Sequence, residues 1–103
     1  LIAQDFASAF EQVDAILTPT TPSPAFGITE EPTGVEMYMN DVFTVPASMA
    51  GIPGISVPVG MSKAGLPLGV QVLGKPFEEV GLLRVAQAVE TAADFTATPQ
   101  LMA

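Results

Sequence analysis

The sequence ISVPVGMSKAGLPLGVQVL, residues 55–73, has the strongest structural pattern in the chain. Apolar runs at 55–59 and 68–73 flank the turn-forming residues 62–65, and this arrangement predicts a β-hairpin. Pro58 has no N–H to donate to a neighbouring strand. The first strand is therefore expected to lie at a sheet edge or to end near this proline.

The return strand of this hairpin has two different faces. Leu68, Val70 and Val72 share one face, which is typical of a strand packed against a core. Gly69 and Gln71 lie on the other face. The glycine there indicates that another part of the chain approaches the strand closely.

Before the hairpin, helical and extended patterns alternate. Apolar residues at helical spacing predict a helix over 1–13, and the short apolar run at 14–18 predicts a buried strand. Three prolines follow within 18–24, so the chain leaves the sheet in an extended conformation, and 25–35 is expected to be a surface loop.

Helical patterns surround Pro46 and follow the hairpin. A helix over 36–43 is expected to break at Pro46, where a second short helix begins and runs to Gly51. A longer helix begins at Glu78, Phe77 is expected to staple its entry, and 96–103 is expected to be a frayed tail. The apolar stripe of that helix consists of Leu82, Ala86, Val89 and Ala93, widened by Leu83. The order of elements predicts an α/β fold in which helices cover a sheet.

Composition excludes several classes of protein. Of the 103 residues, 49% are apolar, the mean hydropathy is +0.46 and the net charge is −8. The acidic balance disfavours direct nucleic-acid contact, and the most apolar stretch, 50–61, is too short to span a membrane. The sequence has no Cys and no His, which removes disulfides and the usual zinc ligands, so we expect the cytoplasm or an organelle matrix.

The surplus of apolar residues and a first residue other than Met indicate a segment of a larger protein.

The sequence contains no complete active site. Ser62 and Lys63 are neighbours in a turn, where their side chains point apart, and Lys75 fits a surface charge better than a buried base. Residues 30–31 and 78–79 are adjacent glutamate pairs, which cannot converge on one substrate. Catalysis by this segment alone is therefore not expected.

Asp41 is the one charged residue in the nearly neutral stretch MYMNDVFTVP, residues 37–46. A carboxylate in such surroundings is costly to bury unless it is paired or hydrogen-bonded. One interpretation is structural, with Asp41 acting as a helix cap or a first-turn acid. The other is functional, with Asp41 binding the ammonium group of an amino-acid ligand.

Five motifs occur in order along nearly the whole chain. They are DAILTPTTPSP at 14–24, NDVFTVPA at 40–47, GIPGISVP at 51–58, LPLGVQVLG at 66–74, and KPFEE at 75–79 with the LLRVA helix at 82–86. Together they resemble the amidase signature family, and within it the branch that hydrolyses glutamine for tRNA-dependent amidation. The resemblance implies that residues 1–103 are the C-terminal part of an amidase signature fold, with a mixed β-sheet covered by helices.

The resemblance also implies roles for particular residues. Asp41 matches the aspartate that holds the amino group of glutamine in that branch, and Asn40 and Thr44 flank it in the pocket. The family cleaves amides with a Ser–Ser–Lys triad in a Gly/Ser-rich signature, and nothing in this sequence matches that signature. The segment is therefore expected to bind substrate without performing the chemistry.

The partners follow from the same resemblance. The segment is expected to pack against the remainder of its own amidase domain, within a complex that also contains the B and C subunits of the amidotransferase. There, ammonia from glutamine converts Glu-tRNA(Gln) to Gln-tRNA(Gln) with ATP and Mg²⁺. This chain is expected to bind no cofactor, and tRNA is expected to contact mainly the partner subunits.

Two departures from the family pattern lie close to the expected pocket. Ser48 stands where relatives commonly have Asn, and Val59 stands where they commonly have Cys. Both departures leave the family resemblance intact. Their expected effect is on which substrates the pocket selects. Two alternatives remain: a segment of a general amidase that acts on other amides, and a non-catalytic binding or scaffold module.

The isolated 103-residue chain is expected to show no glutaminase activity, because it lacks the family's nucleophile and base. Ammonia release from glutamine by the purified chain is the measurement. Turnover that persists through purification to homogeneity would contradict the expectation.

Overall fold

The computed structural model describes residues 1–99, and residues 100–103 lie outside the description. The elements are α1 (Ile2–Phe10), β1 (Ile16–Pro19), α2 (Gly34–Asn40), α3 (Val45–Ala50), β2 (Gly54–Met61), β3 (Pro67–Leu73) and α4 (Glu79–Ala93). This order confirms the predicted α/β class. Within residues 1–99, no helix combines the length and apolar character needed to cross a membrane.

The three strands form a sheet in the order β1-β3-β2, with both pairings antiparallel. Val72 lies opposite Leu17 on one side and Ile55 on the other. The predicted hairpin is confirmed, and β2 is an edge strand of this sheet with a register shift between Pro58 and Gly60. Any parallel pairing of a mixed sheet requires strands from outside these residues.

Helices cover both faces of the sheet. One apolar cluster joins the sheet to α4 and consists of Val57, Val72, Leu82 and Ala86. The other joins the sheet to α1 and α3 and consists of Phe10, Ala47 and Leu73. Successive strand residues point to opposite faces, so Val72 and Leu73 belong to different clusters.

Hydrogen bonds and turns set the ends of the short helices. The Thr33 hydroxyl accepts from the Glu36 N–H at 3.1 Å and donates to the Glu36 carboxylate at 3.2 Å. This capping contact starts α2 at Gly34, two residues before the predicted start. Pro46 lies in the first turn of α3, and Gly51 ends that helix with φ +73°, as predicted.

Several local predictions were wrong. The helix predicted over 36–43 ends at Asn40. The strand predicted to be buried at 14–18 has no buried residue within this segment, and Leu17 is 54% exposed.

Phe77 does not staple α4, because its backbone is left-handed with φ +63° and the residue is 94% exposed. Leu83 lies on the flank of α4 and is 55% exposed, so it widens the buried stripe less than expected. The first helix ends at Phe10, and a turn continues only to residue 12.

The frayed-tail prediction covers residues 96–103. Residues 96–99 have no regular secondary structure, and the remainder lies outside the described residues. The frayed tail stays a prediction.

The close approach predicted at Gly69 is present. A Cβ atom at this position would lie 2.8 Å from the Ser56 hydroxyl oxygen and 3.1 Å from that of Thr20. These two hydroxyls are hydrogen-bonded to each other at 2.7 Å. Glycine therefore leaves room for a hydroxyl pair that ties the segment after β1 to β2.

Replacing Gly69 by alanine is expected to destabilise the fold by about 1–2 kcal/mol, because the new methyl group would displace this hydroxyl pair. Gly60→Ala is the matched control, since its Cβ would meet no atom within 4 Å. Denaturant unfolding of the full-length protein measures both variants. Equal stabilities would contradict the account.

Candidate functional site

Asn40, Asp41 and Thr44 lie together on the short connection between α2 and α3. Asn40 is the last residue of α2, Asp41 is its C-cap with φ −99° and ψ 2°, and Thr44 is the N-cap of α3. The Asp41 carbonyl accepts from the backbone N–H groups of Thr44 at 3.1 Å and Val45 at 3.0 Å. These bonds close a tight turn over 41–44.

The Asp41 side chain is exposed, and within residues 1–99 its carboxylate makes no hydrogen bond or ion pair. It lies at the carboxyl end of α2, where carbonyl groups rather than free N–H groups face outward. An anion gains nothing from the helix dipole at that end. Asp41 is thus neither an N-terminal cap nor a first-turn acid, and its carboxylate is available to an external cation.

The two flanking residues have different surroundings. Asn40 is half-buried and borders a cleft of about 210 Å³, whose other lining residues include Pro22, Phe26 and Met39. The Thr44 hydroxyl donates to the Asp41 carbonyl at 3.4 Å. Asn40 can therefore shape a pocket, whereas the hydroxyl of Thr44 supports the turn itself.

Gln71 is a residue of this region that sequence reasoning did not select. Its side-chain amide is buried, with the residue only 6% exposed. Its Nε2 donates to the Phe43 carbonyl at 2.8 Å and to the Thr18 hydroxyl at 3.0 Å. The available signal was a polar residue inside the apolar strand 68–73, because a buried amide must find hydrogen-bond partners.

Lys75 does not provide a general base in this arrangement. Its Nζ lies 3.5 Å from a carboxylate oxygen of Asp14, whose side chain is 98% exposed. This contact agrees with the interpretation of Lys75 as a surface charge. Within residues 1–99, no three His, Cys, Asp or Glu side chains come together as metal ligands. The Asp41 carboxylate is exposed, and residues 1–99 contain no assembled nucleophile and base.

Comparison with known proteins assigns the family. The family model named Amidase matches residues 1–83, which is most of the 103-residue chain. The chain belongs to the amidase family. The resemblance seen in the sequence motifs is thereby confirmed.

Curated relatives match this amidase segment closely. The A subunit of glutamyl-tRNA(Gln) amidotransferase from Parvibaculum lavamentivorans is 60% identical over 101 residues, covering 97% of this chain and 20% of that protein. The protein of the same name from Rhodospirillum rubrum is 56% identical over 105 residues, covering 99% of this chain and 21% of that protein. The segment spans about a fifth of the length of these relatives.

Solved structures confirm the amidase fold. The A subunit of glutamyl-tRNA(Gln) amidotransferase from Thermotoga maritima superposes with a TM-score of 0.82 at 45% identity, over 86% of this chain and 20% of that one. The 6-aminohexanoate cyclic dimer hydrolase superposes with a TM-score of 0.72 at 28% identity, over 90% of this chain and 22% of that one. Proteins named for different substrates therefore share this segment's fold.

Proposed function

We propose that residues 1–103 form the C-terminal part of the glutamine-hydrolysing A subunit of a glutamyl-tRNA(Gln) amidotransferase. Relatives with that name are 60% and 56% identical and align with nearly all of this chain. The observation that carries the proposal is the Asp41 carboxylate, exposed and without a partner within residues 1–99.

Asp41 would bind the α-ammonium group of glutamine. An ammonium group donates charge-assisted hydrogen bonds to a carboxylate, and these strengthen when the surrounding protein excludes water. Such a contact distinguishes a free amino acid from a simple amide, because only the amino acid carries the positive charge. Asn40, the residue before Asp41, borders the cleft beside α2. Thr44 would support the turn that presents Asp41.

Amide cleavage requires groups from elsewhere in the full-length protein. By family resemblance, a serine of a Ser–Ser–Lys triad attacks the side-chain amide carbon of glutamine, and the lysine begins the proton relay. The nitrogen takes up the serine's proton through this relay, the carbon–nitrogen bond breaks and ammonia leaves. Water then hydrolyses the glutamyl ester left on the serine and releases glutamate. The role of this segment is to hold the other end of glutamine while that chemistry proceeds.

The remainder of the same amidase domain would cover the surface around α2 and α3. Tyr38, on α2, is 75% exposed, and α2 buries no residue within the described part of the chain. Leaving so many large apolar groups in water is unfavourable, which supports a covering partner. The exposed apolar side chains of this surface are Val35, Met37, Tyr38, Met39, Val42, Val45 and Met49.

The B and C subunits would complete the enzyme. The ammonia would pass to the partner that activates Glu-tRNA(Gln) with ATP and Mg²⁺, in the cytoplasm or an organelle matrix. We assign ATP and Mg²⁺ to other parts of the complex, because this sequence has no phosphate-binding loop and residues 1–99 gather no three metal ligands. The net charge of −8 favours tRNA contacts on the partner subunits.

A general amidase is the second candidate function, and the 6-aminohexanoate cyclic dimer hydrolase shows that the fold alone does not select the substrate. The Asp41 carboxylate separates the two candidates. A glutaminase uses it on the substrate's ammonium group, whereas an enzyme for other amides does not need it.

In the full-length protein, Asp41→Asn is expected to lower kcat/KM for glutamine by about 10–100-fold, because it removes one charge-assisted contact. Glutaramate, which is glutamine without the α-amino group, is the comparison substrate. Its kcat/KM should not change. Ammonia release under steady-state conditions measures both substrates.

Asp94→Asn is the matched control for this variant. Asp94 is also an exposed aspartate at a helix C-cap, and it lies at the end of α4. It should leave the kinetics with both substrates unchanged. An equal loss with glutamine and glutaramate in Asp41→Asn, or no loss with either, would rule out the ammonium-binding role.

A further inference from the structure

We propose that Gln71 is a positioning residue that holds the 41–44 turn on the sheet and thereby sets where the Asp41 carboxylate lies. This inference rests on the proposed glutamine-binding role of Asp41. It assigns Gln71 no contact with substrate. Its effect on glutamine would be transmitted through the backbone of the turn.

The hydrogen bonds of Gln71 connect the turn to the sheet. The two N–H groups of its amide donate to the Phe43 carbonyl at 2.8 Å and to the Thr18 hydroxyl at 3.0 Å. The residue is 6% exposed, so water cannot easily replace either bond. Both donors of one buried amide are therefore committed to neighbouring segments.

The backbone of Gln71 lies in the best-supported strand of the described sheet. It lies on β3, which is paired on both sides, opposite Thr18 on β1 and Ser56 on β2. The next two residues along β3 are both buried. Val72 lies in the apolar cluster with α4, and Leu73 lies in the cluster with α1 and α3. The backbone around Gln71 is thus held by pairing and packing in both directions.

Within this segment, the Gln71 amide links the sheet directly to the 41–44 turn through the Phe43 carbonyl. Within the described residues, α2 buries no side chain, whereas α3 buries Ala47. Phe43 is two residues from Asp41, and the bonds from Thr44 and Val45 to the Asp41 carbonyl link these positions in one turn. A displacement of the Phe43 carbonyl therefore moves the Asp41 backbone as well.

The test is a double-mutant cycle in the full-length enzyme with glutamine and glutaramate as substrates. Gln71→Met keeps the side-chain length but cannot donate to the Phe43 carbonyl. We expect it to raise KM for glutamine about tenfold with little change in kcat, since a buried hydrogen bond contributes on this scale. Glutaramate kinetics should stay at the wild-type level, and in the Asp41→Asn background Gln71→Met should cause no further loss.

Thr18→Val is the matched control. It removes the hydroxyl that accepts one Gln71 bond and leaves the bond to Phe43 in place. We expect less than about a twofold change in KM for glutamine. If Gln71→Met does not yield folded protein, the same kinetics are measured with Gln71→Glu. This variant keeps the side-chain volume but presents a carboxylate oxygen, which cannot donate a hydrogen bond, to the Phe43 carbonyl.

The outcomes separate this inference from the proposed function. Losses that add in the double variant, or that are equal for glutaramate, would show a general structural role for Gln71 and overturn the inference alone. A normal KM for glutamine in Gln71→Met would also overturn it. If Asp41→Asn itself leaves glutamine kinetics unchanged, both the inference and the proposed function fail.

Discussion

The alternation of side chains along the central strand is the constraint on which the described structure depends. Gln71, Val72 and Leu73 are consecutive and all buried, yet each contacts a different part of the molecule. Val72 packs with the α4 cluster, Leu73 packs with the cluster of α1 and α3, and Gln71 bonds the turn between α2 and α3. Gln71 and Leu73 point to one face of β3, and Val72 points to the other. A shift of one residue in the register of β3 would exchange these two faces, so that all three side chains would lose their present contacts. The hairpin therefore positions the candidate site as well as forming the sheet.

Local sequence signals predicted the features that depend on neighbouring residues. Pro58 marked an edge strand, Gly51 ended a helix, and Gly69 marked a close approach, because each reflects a backbone requirement that one residue type meets. The start of α2 was predicted two residues late, because residues 25–35 were expected to be a loop and the capping contact between Thr33 and Glu36 was not recognised.

Features that depend on tertiary contacts were harder to predict. The exposure of Phe77 follows from a left-handed backbone that nothing in its residue type favours. The bond from Gln71 to Phe43 joins positions 28 residues apart, so no local pattern reveals it. Asp41 stood out as a lone charge in an apolar stretch, but only the structure distinguishes the C-cap of α2 from an N-terminal cap. The sequence thus singled out Asp41 as a candidate, whereas the attachment of its turn to the sheet required the fold.

Contact between Asp41 and the ammonium group of glutamine is the proposal on which the site's function depends. The most direct measurement is a crystal structure of the full-length protein with glutamine bound and its attacking serine replaced. The glutamine α-nitrogen is expected within about 3 Å of an Asp41 carboxylate oxygen. Glutamine bound with its ammonium group held by other residues, and Asp41 left facing solvent, would contradict it.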